Sequence, residues 1–574
     1  MKNEALRIRI ISFFIIGAAL LLAAKLYEVQ IIYGKDYAER ADQQYVLPTQ
    51  QIYDRGSIFL QTKEGIPFTG AGLETGYVLW IDPQTLKNPE DAYNRLSNVI
   101  TLDPTDFMAK AAMSNTYQEI QQKVSSSTAA QITALNIPGV SLSEERWRFY
   151  PGQSLAAQTI GFTSYGPDGK SVIGTYGLEK YYQDTLNRDD ENLYANFFVQ
   201  IFSGLGSALT QQQSLEGDIT TTIEPSVQSE LEVELQSVMD QFHSQLAGGI
   251  IMDPNTGSVY AMAVNPTFNL NDSAQQTDPS IYGDPLVSGV YEMGSIIKPL
   301  TVAAGLDAGV ISPDSTYIDK GCQEFDTSQV CDFDDMARGV TTVQTALDQS
   351  LNLGMAAVEE RLGNATFADY FLNKFNLKNP TGVDLPNEAD PLVSNLTTVP
   401  NINYITASFG QGIAISPMAT IAALSILGNG GHLVTPHLVD RIDYKIGGWK
   451  TITDPPGPQA IAASTSQVIS KMLVHVVDTA IGDGTYAVPD PSDFTHYSIA
   501  AKTGTAQIAD NGSYINGKYL HSFFGYFPAY NPKFIIFLYT LEPIGQEYAS
   551  HTLTDPFFDL AHFLINYYNI PPDR

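Results

Sequence analysis

Ser295 and Lys298 are the two residues whose types and spacing best suit covalent chemistry. They lie three positions apart ahead of a helix-like segment, and residues i and i+3 of a helix share a face with Cβ atoms about 5–6 Å apart. A serine becomes a nucleophile when a base takes its proton, and a lysine whose pKa is lowered by burial can act as that base. The alternative is that both residues are exposed on the surface and have no catalytic role. However, no other lysine in this chain has a serine three residues before it.

Two further short patterns follow in the chain. Ser350 and Asn352 lie inside the helix-like segment 341–362, where a hydroxyl and an amide can point into a cleft. The next pattern ends a strand-like segment and comprises Lys502, Thr503, Gly504 and Thr505. It offers a cation, hydroxyls and a strand edge with little side-chain bulk. Each pattern alone is weak, whereas the three together in this order are a strong signal.

Alternating and helix-period segments indicate which elements carry these residues. Strands are predicted at 218–223, 248–253, 258–264, 497–507 and 534–541, with a tight turn at 254–257. Helices are predicted at 225–242, 341–362, 417–427 and 557–568, and residues 88–135 have helical spacing without a chemical motif. A helix-rich centre bracketed by strands predicts an α+β fold, with a domain boundary near 215–230.

Length and charge limit the functional classes. The 574 residues include 62 acidic and 31 basic side chains, for a net charge of −31. This balance argues against a nucleic-acid partner, which requires clustered basic residues. The histidines lack metal-ligand spacing, and no phosphate-binding or dinucleotide motif follows a strand, so we expect no metal site and no nucleotide site.

The N-terminal segment 10–27 predicts one membrane-spanning helix. Residues 10–24 contain Ser12 as their only polar residue, and the whole apolar stretch approaches the roughly 20 residues that span a bilayer. Basic residues precede it, which predicts a cytoplasmic segment 1–9 and an extracytoplasmic remainder. A cleaved signal peptide is the competing interpretation and fits less well, because leucine occupies a position that favours a small residue.

Cys322 and Cys331 are the two cysteines of the chain. They lie nine residues apart in what is then an oxidising compartment, and the polar segment between them suggests a closed loop. We therefore favour a disulfide over two unpaired thiols.

The three short patterns resemble S-x-x-K, S-x-N and K-T-G of the penicillin-recognising serine transpeptidases. Flanking stretches are similar to the class B penicillin-binding proteins, and together they cover nearly the whole chain. These stretches are residues 55–58, 148–152, 176–182, 217–224, 430–431, 502–507 and 521–525. Met293 departs from the usual proline of the family and Ile297 from a common aromatic residue; neither change removes a reacting group.

The resemblance implies a transpeptidase (penicillin-binding) domain at 226–574, with an antiparallel sheet flanked by helices. An elongated, non-catalytic pedestal of the dimerisation type would occupy 28–225. The activity implied is D,D-transpeptidation, which crosslinks peptidoglycan stem peptides ending in D-Ala-D-Ala and is inhibited by penicillin and other β-lactams.

The resemblance also implies a role for each motif residue. Ser295 would attack the carbonyl between the terminal D-alanines, and Lys298 would be the general base. Ser350 would relay a proton to the leaving amine, while Asn352 would position the donor peptide and hydrogen-bond Lys298. The backbone N–H groups of Ser295 and Thr505 would form the oxyanion hole. The residues that would hold the terminal carboxylate are Lys502, Thr503 and Thr505, beside Gly504.

Other functions remain as alternatives. A serine β-lactamase and a D,D-carboxypeptidase share the motifs but usually lack the N-terminal region, and a β-lactam sensor would need a larger cytoplasmic part. A catalytically idle scaffold of the wall-building machinery is the alternative from another class. The Arg55-Gly56 and Tyr150-Pro151 segments could form a packing core or a docking surface for a polytopic glycosyltransferase. Division and elongation roles both stay open.

Overall fold

The computed structural model describes residue 25 and residues 53–167, 171–188, 216–275, 278–445, 447–452, 455–488, 494–510 and 513–574. The predicted cytoplasmic segment 1–9 and, apart from Lys25, the predicted membrane-spanning segment 10–27 lie outside these residues. No helix within the described residues is both long and apolar enough to cross a bilayer. The chain divides into two compact units: a smaller one that includes Thr75–Arg146, and a larger one of Asp54–Glu74 and Trp147–Arg574.

Strands occur throughout the described part of the chain. In chain order they are β1 Ile58–Gln61, β2 Pro67–Ile81, β3 Gln118–Val124, β4 Val140–Phe149, β5 Thr163–Tyr165, β6 Val172–Gly174, β7 Gly217–Thr221, β8 Leu246–Met252, β9 Val259–Asn265, β10 Thr316–Asp319, β11 Cys322–Phe325, β12 Ser328–Cys331, β13 Gly339–Thr342, β14 Val439–Tyr444, β15 Gly448–Thr451, β16 Ala500–Asp510, β17 Ser513–Phe527 and β18 Phe534–Leu541.

Helices concentrate between these strands. In chain order the α-helices are α1 Pro89–Ser97, α2 Pro104–Ala111, α3 Ser126–Ala134, α4 Ala157–Ile160, α5 Gly177–Tyr181, α6 Gln183–Leu186, α7 Pro225–Phe242, α8 Pro285–Ser288, α9 Lys298–Asp307, α10 Val343–Asp348, α11 Asn352–Leu362, α12 Asn364–Asp369, α13 Ile402–Ala407, α14 Pro417–Ser425, α15 Ala463–Gly482 and α16 Thr554–Tyr567.

The central sheet of the larger unit is antiparallel, in the order β16-β17-β18-β8-β9. Successive side chains of a strand point to opposite faces, so each strand serves two cores. Ile536 and Leu538 of β18 pack in one buried cluster with α7 and α16. Ile535 and Phe537 pack in the other cluster, which includes residues of α9 and α14. The sheet is therefore covered by helices on both faces, as the α+β prediction requires.

Local sequence signals explain how the helix α7 begins and ends. Pro225 is its first residue, where a missing N–H costs nothing, and the Glu224 carboxylate accepts a hydrogen bond from the Val227 N–H at 2.7 Å. His243 ends the helix with φ of 48°. The helix predicted at 225–242 is thus confirmed, as are the strands predicted around the 254–257 turn.

Two predicted helical segments need correction. The segment 341–362 is not one helix, because β13 occupies its start and the rest is divided into α10 and α11 around Ser350, whose φ is 58°. The segment 88–135 contains β3 between α2 and α3. In the smaller unit Tyr77–Ile81 of β2 pairs with β3, and this pairing overrides the helical composition.

A second part of the larger unit brings N-terminal motif residues together. The strand β1 lies parallel to β7 and antiparallel to the start of β2. Nearby, the buried Glu179 carboxylate accepts hydrogen bonds from Arg55 Nε at 2.6 Å and Arg148 Nε at 2.5 Å. Arg148 also donates to the Gly56 carbonyl at 2.8 Å. These motif residues therefore form a buried ion cluster inside the larger unit.

Candidate active site

Ser295 lies in a short 3₁₀ turn, Gly294–Ile297, that leads directly into α9. Gly294 has φ of 64°, and a Cβ there would lie 2.7 Å from the Thr505 carbonyl oxygen of β16. A side chain at this position would therefore both strain the backbone and collide with the strand. The turn therefore lies directly beside β16. Ser295 itself is half-buried, so part of the residue remains accessible to solvent.

Lys298 is completely buried at the start of α9. Its Nζ donates to the Ser350 carbonyl oxygen at 2.5 Å and lies 3.3 Å from the Ser350 hydroxyl oxygen. Burial holds the pKa of Lys298 well below its ordinary value, and the Lys502 charge lowers it further, whereas the Asp332 charge acts in the opposite direction. A lysine whose pKa is lowered in this way loses its proton more readily and can act as a base.

Ser350 occupies the connection between α10 and α11 in a left-handed backbone conformation, with φ of 58°. This conformation is uncommon for a residue other than glycine and persists only where its surroundings hold it. Here the Lys298 ammonium group binds the Ser350 carbonyl, and the peptide N–H of Leu351 bonds back to the Ala346 carbonyl at 2.8 Å. The break in the predicted helix thus places Ser350 against Lys298.

Asn352 is the first residue of α11. Its Nδ2 donates to the Cys331 carbonyl at 2.8 Å, in place of the contact with Lys298 that the family resemblance implied. Cys331 and Cys322 face each other across the β11–β12 hairpin and are joined by a disulfide. Asp335 lies near both sulfurs, but sulfurs bonded to each other are not available as metal ligands.

The K-T-G segment lies on β16, the edge strand of the central sheet. Lys502 is 2% exposed, and burial lowers its pKa to about 8, with the Asp348 charge acting in the opposite direction. A Cβ on Gly504 would lie 2.5 Å from the Ser522 hydroxyl and 2.8 Å from the Met293 carbonyl, so only glycine allows this approach. The Thr505 hydroxyl accepts a hydrogen bond from the Ala549 N–H at 3.1 Å.

The structure therefore brings the three sequence patterns together through named contacts. Lys298 reaches Ser350, Gly294 contacts Thr505, and Gly504 contacts the carbonyl of the residue before Gly294. Ser522 of β17 anchors the turn that carries Ser295, because its hydroxyl donates to the Met293 carbonyl at 2.9 Å.

Sequence reasoning did not single out Asp332 as a functional residue. It is 2% exposed and is the residue directly after Cys331. A carboxylate in an acidic DFDD stretch looks like part of a solvated surface, so composition hides it. Only the contacts across the chain reveal that it is buried at the candidate site.

Two family models match the chain. Residues 247–559 match the penicillin binding protein transpeptidase domain, and residues 55–192 match the penicillin-binding protein dimerisation domain. The first match includes all three short patterns, and the second includes the buried ion cluster of Arg55, Arg148 and Glu179.

Individual proteins are similar over most of their length. Stage V sporulation protein D of Bacillus subtilis is 26% identical over 97% of this chain and 85% of its own length. Peptidoglycan D,D-transpeptidase FtsI of Escherichia coli K12 is 24% identical over 86% of this chain and 81% of its own. The crystal structure of penicillin binding protein 3 from Mycobacterium tuberculosis complexed with aztreonam has a TM-score of 0.67 and 22% identity, covering 91% of this chain and 98% of its own.

Proposed function

Because this chain belongs to the penicillin-binding protein transpeptidase family, we propose that this peptidoglycan D,D-transpeptidase works through an acyl-enzyme on Ser295. It crosslinks stem peptides in cell-wall synthesis and is a target of β-lactams. The observation that carries the assignment of residues is the fully buried Lys298, hydrogen-bonded to Ser350 and one helical turn from Ser295.

In the first half-reaction, the Ser295 hydroxyl oxygen attacks the carbonyl carbon between the two terminal D-alanines. Neutral Lys298 takes the hydroxyl proton, which its lowered pKa allows. The C–N bond then breaks, Ser350 relays this proton from Lys298 to the departing nitrogen, and D-alanine leaves, so Lys298 is neutral again. The backbone N–H groups of Ser295 and Thr505 stabilise the tetrahedral oxyanion, where loss of one donor costs about 10²–10³ in rate.

In the second half-reaction, the amine of another stem peptide attacks the acyl-enzyme. As the new amide bond forms, neutral Lys298 accepts a proton from the attacking amine. The ester bond to Ser295 then breaks, and Lys298 passes that proton to the serine oxygen. Asn352 positions the donor peptide from the start of α11. No metal ion or organic cofactor takes part in either step.

Recognition of the donor's terminal carboxylate falls to Lys502, with hydrogen bonds from the Thr503 and Thr505 hydroxyls. The pKa of about 8 leaves Lys502 mainly protonated at neutral pH, so it can pair with a carboxylate. The absence of a side chain at Gly504 lets the donor approach the backbone of β16, an edge strand.

We place this reaction outside the cytoplasm. The apolar segment 10–27 and the basic residues before it support a single-pass anchor with residues 1–9 in the cytoplasm. We assign 28–225 to a non-catalytic pedestal and 226–574 to the catalytic domain. Polymerisation of the glycan strands then requires a polytopic glycosyltransferase as a partner in the membrane.

The test uses the purified full-length chain, a donor peptide ending in D-Ala-D-Ala and an amine acceptor, with products identified by mass spectrometry. We expect D-alanine release and an acceptor-dependent amide product, and neither from a Ser295→Ala variant. Hydrolysed donor regardless of acceptor would indicate a D,D-carboxypeptidase. Rapid turnover of benzylpenicillin would indicate a β-lactamase, and a folded chain that releases nothing would indicate an idle scaffold.

A further inference from the structure

The base of the β11–β12 hairpin, which we define as Cys322, Cys331 and Asp332, is fastened to the first turn of α11. The Cys331 carbonyl accepts the Asn352 side-chain amide at 2.8 Å, and Asp332 Oδ1 accepts the Leu353 N–H at 3.0 Å. The Asp332 N–H donates to the Gly321 carbonyl at 2.9 Å, which ties the residue to the start of the hairpin. The backbone carbonyl of Cys331 and the side chain of Asp332 thus both bind the first turn of α11.

Asp332 is buried in a way that surface carboxylates are not. It is 2% exposed, and its Oδ2 has no hydrogen-bond partner among the described residues. Burying a carboxylate is costly unless nearby groups stabilise its charge. A helix N-terminus provides some of that stabilisation, because its free N–H groups carry partial positive charge.

The charged and titratable groups around Asp332 come from several elements. Asp319 of β10 and Tyr317 face it, and so do Arg338 and Lys298. Arg338 is already engaged, with NH2 2.8 Å from Asp334 Oδ2 and NH1 3.7 Å from Asp319 Oδ2.

Lys298, in contrast, has no carboxylate within ion-pair distance among the described residues. It faces a second cation, Lys502, so the Asp332 charge is what opposes that repulsion. Burial raises the pKa of Asp332, whereas its hydrogen bond from Leu353 and the Lys298 charge lower it.

We propose that Asp332 is a positioning residue for acylation, which fixes the first turn of α11 and sets the electrostatic surroundings of Lys298. This proposal rests on the role of Lys298 proposed above. The hydrogen bond to Leu353 orients Asn352 at the start of the helix. The carboxylate charge keeps the Lys298 amine from losing its proton too readily, and so maintains its basicity.

Two substitutions separate these contributions. Asp332→Asn keeps an oxygen that can accept from Leu353 but removes the charge, whereas Asp332→Ala removes both. Asp335→Asn is the matched control, because Asp335 is an exposed carboxylate of the same loop, and its φ of 57° is readily adopted by asparagine.

The measurement is the rate of acylation of the full-length chain by a fluorescent penicillin between about pH 5 and pH 10. Removing a negative charge lowers the pKa of Lys298, so we expect the acid limb of the Asp332→Asn profile to move to lower pH. Asp332→Ala should show the same displacement and also lose roughly tenfold or more at the plateau, because Asn352 is misplaced. Asp335→Asn should match the wild type.

A normalised Asp332→Asn profile that superimposes on the wild type, or moves to higher pH, overturns the proposal. If Asp332→Ala fails to fold, as thermal unfolding would show, the Asp332→Asn profile still decides. Failure of the underlying function is distinguishable, because the wild type itself would then form no adduct with penicillin.

Discussion

Two groups of buried basic side chains in the larger unit have opposite electrostatic surroundings. Arg55 and Arg148 share the Glu179 carboxylate, with Nε–Oε distances of 2.6 and 2.5 Å. Lys298 and Lys502 are equally buried, and the Lys502 charge acts on Lys298; among the described residues neither lysine has a carboxylate within ion-pair distance. Family motifs contribute to both groups, so sequence resemblance alone does not tell them apart.

The difference lies in what the charge is free to do. A buried guanidinium group that is paired with a carboxylate stays charged and fixes the local packing. A buried lysine without a paired carboxylate can exchange its proton, which is what a general base requires. We therefore assign the arginine–glutamate cluster to structure and the lysine pair to chemistry.

The largest effect is expected from removing the base. Lys298→Met keeps a buried, unbranched side chain but has no amine, so the acylation rate by fluorescent penicillin should fall by about 10²–10⁴. Thermal unfolding should show only a small change in stability, because the lost hydrogen bond to the Ser350 carbonyl is offset by removal of a buried amine that has no carboxylate partner. Lys518→Met, which changes a partly exposed lysine, should acylate at the wild-type rate. A Lys298→Met variant that acylates normally would contradict the assignment.

Removing Glu179 should lower the stability of the protein and leave the acylation rate unchanged, which is the opposite of the result expected for Lys298→Met. Glu179→Ala leaves two buried guanidinium groups without their carboxylate, so the free energy of unfolding should fall by about 3–5 kcal/mol. Urea denaturation measures this change, and Lys518→Met, which breaks a partly exposed pair with Glu542, should stay within about 1 kcal/mol of the wild type. Acylation per folded molecule should be unchanged. Wild-type stability combined with a large loss of acylation would reverse our assignment of the cluster.

The third prediction concerns the contribution of the Cys322–Cys331 disulfide to the stability of the protein. Replacing Cys322 and Cys331 by serine opens a loop closed by residues nine positions apart, which should cost about 2–3 kcal/mol of stability. Urea denaturation of the double variant measures it. Intact mass after thiol alkylation is the control: the wild type should take up no label until it is reduced. Labelling of both cysteines without reductant would refute the bond.

The smallest expected effect is a shift in the pH dependence of donor-peptide acylation when Asp348 is replaced. Asp348 raises the pKa of Lys502, so Asp348→Asn should lower that pKa from about 8. Lys502 would then lose, at a lower pH, the charge that we propose binds the donor carboxylate. We expect the alkaline limb of donor-peptide acylation to move to lower pH, while an exposed control, Asp483→Asn, leaves it in place. An alkaline limb that stays in place in Asp348→Asn would contradict the proposal that the Lys502 charge binds the donor carboxylate.

Short, local signals allowed much of this arrangement to be predicted from sequence. The helix 225–242 has a proline at its start, and the strand 534–541 is apolar except for Thr540, so both are predicted correctly. The prediction that Ser295 and Lys298 lie one helical turn apart is confirmed, because the 3₁₀ turn that contains Ser295 passes directly into α9.

The rest depends on contacts between distant residues. The segment 341–362 has helical composition throughout, yet it breaks at Ser350, where the carbonyl binds Lys298 from another helix. Pairing with β2 likewise makes a strand of 118–124. Asp332 gives no sequence signal, because its burial comes from the hairpin folding against α11.

The most direct test of the central claim is intact-mass spectrometry of the full-length chain after brief exposure to benzylpenicillin, beside Ser295→Ala. We expect the wild type to gain the mass of one penicillin and lose it slowly, and the variant to gain nothing. An adduct on the variant, or no adduct on a folded wild type, would contradict Ser295 as the nucleophile.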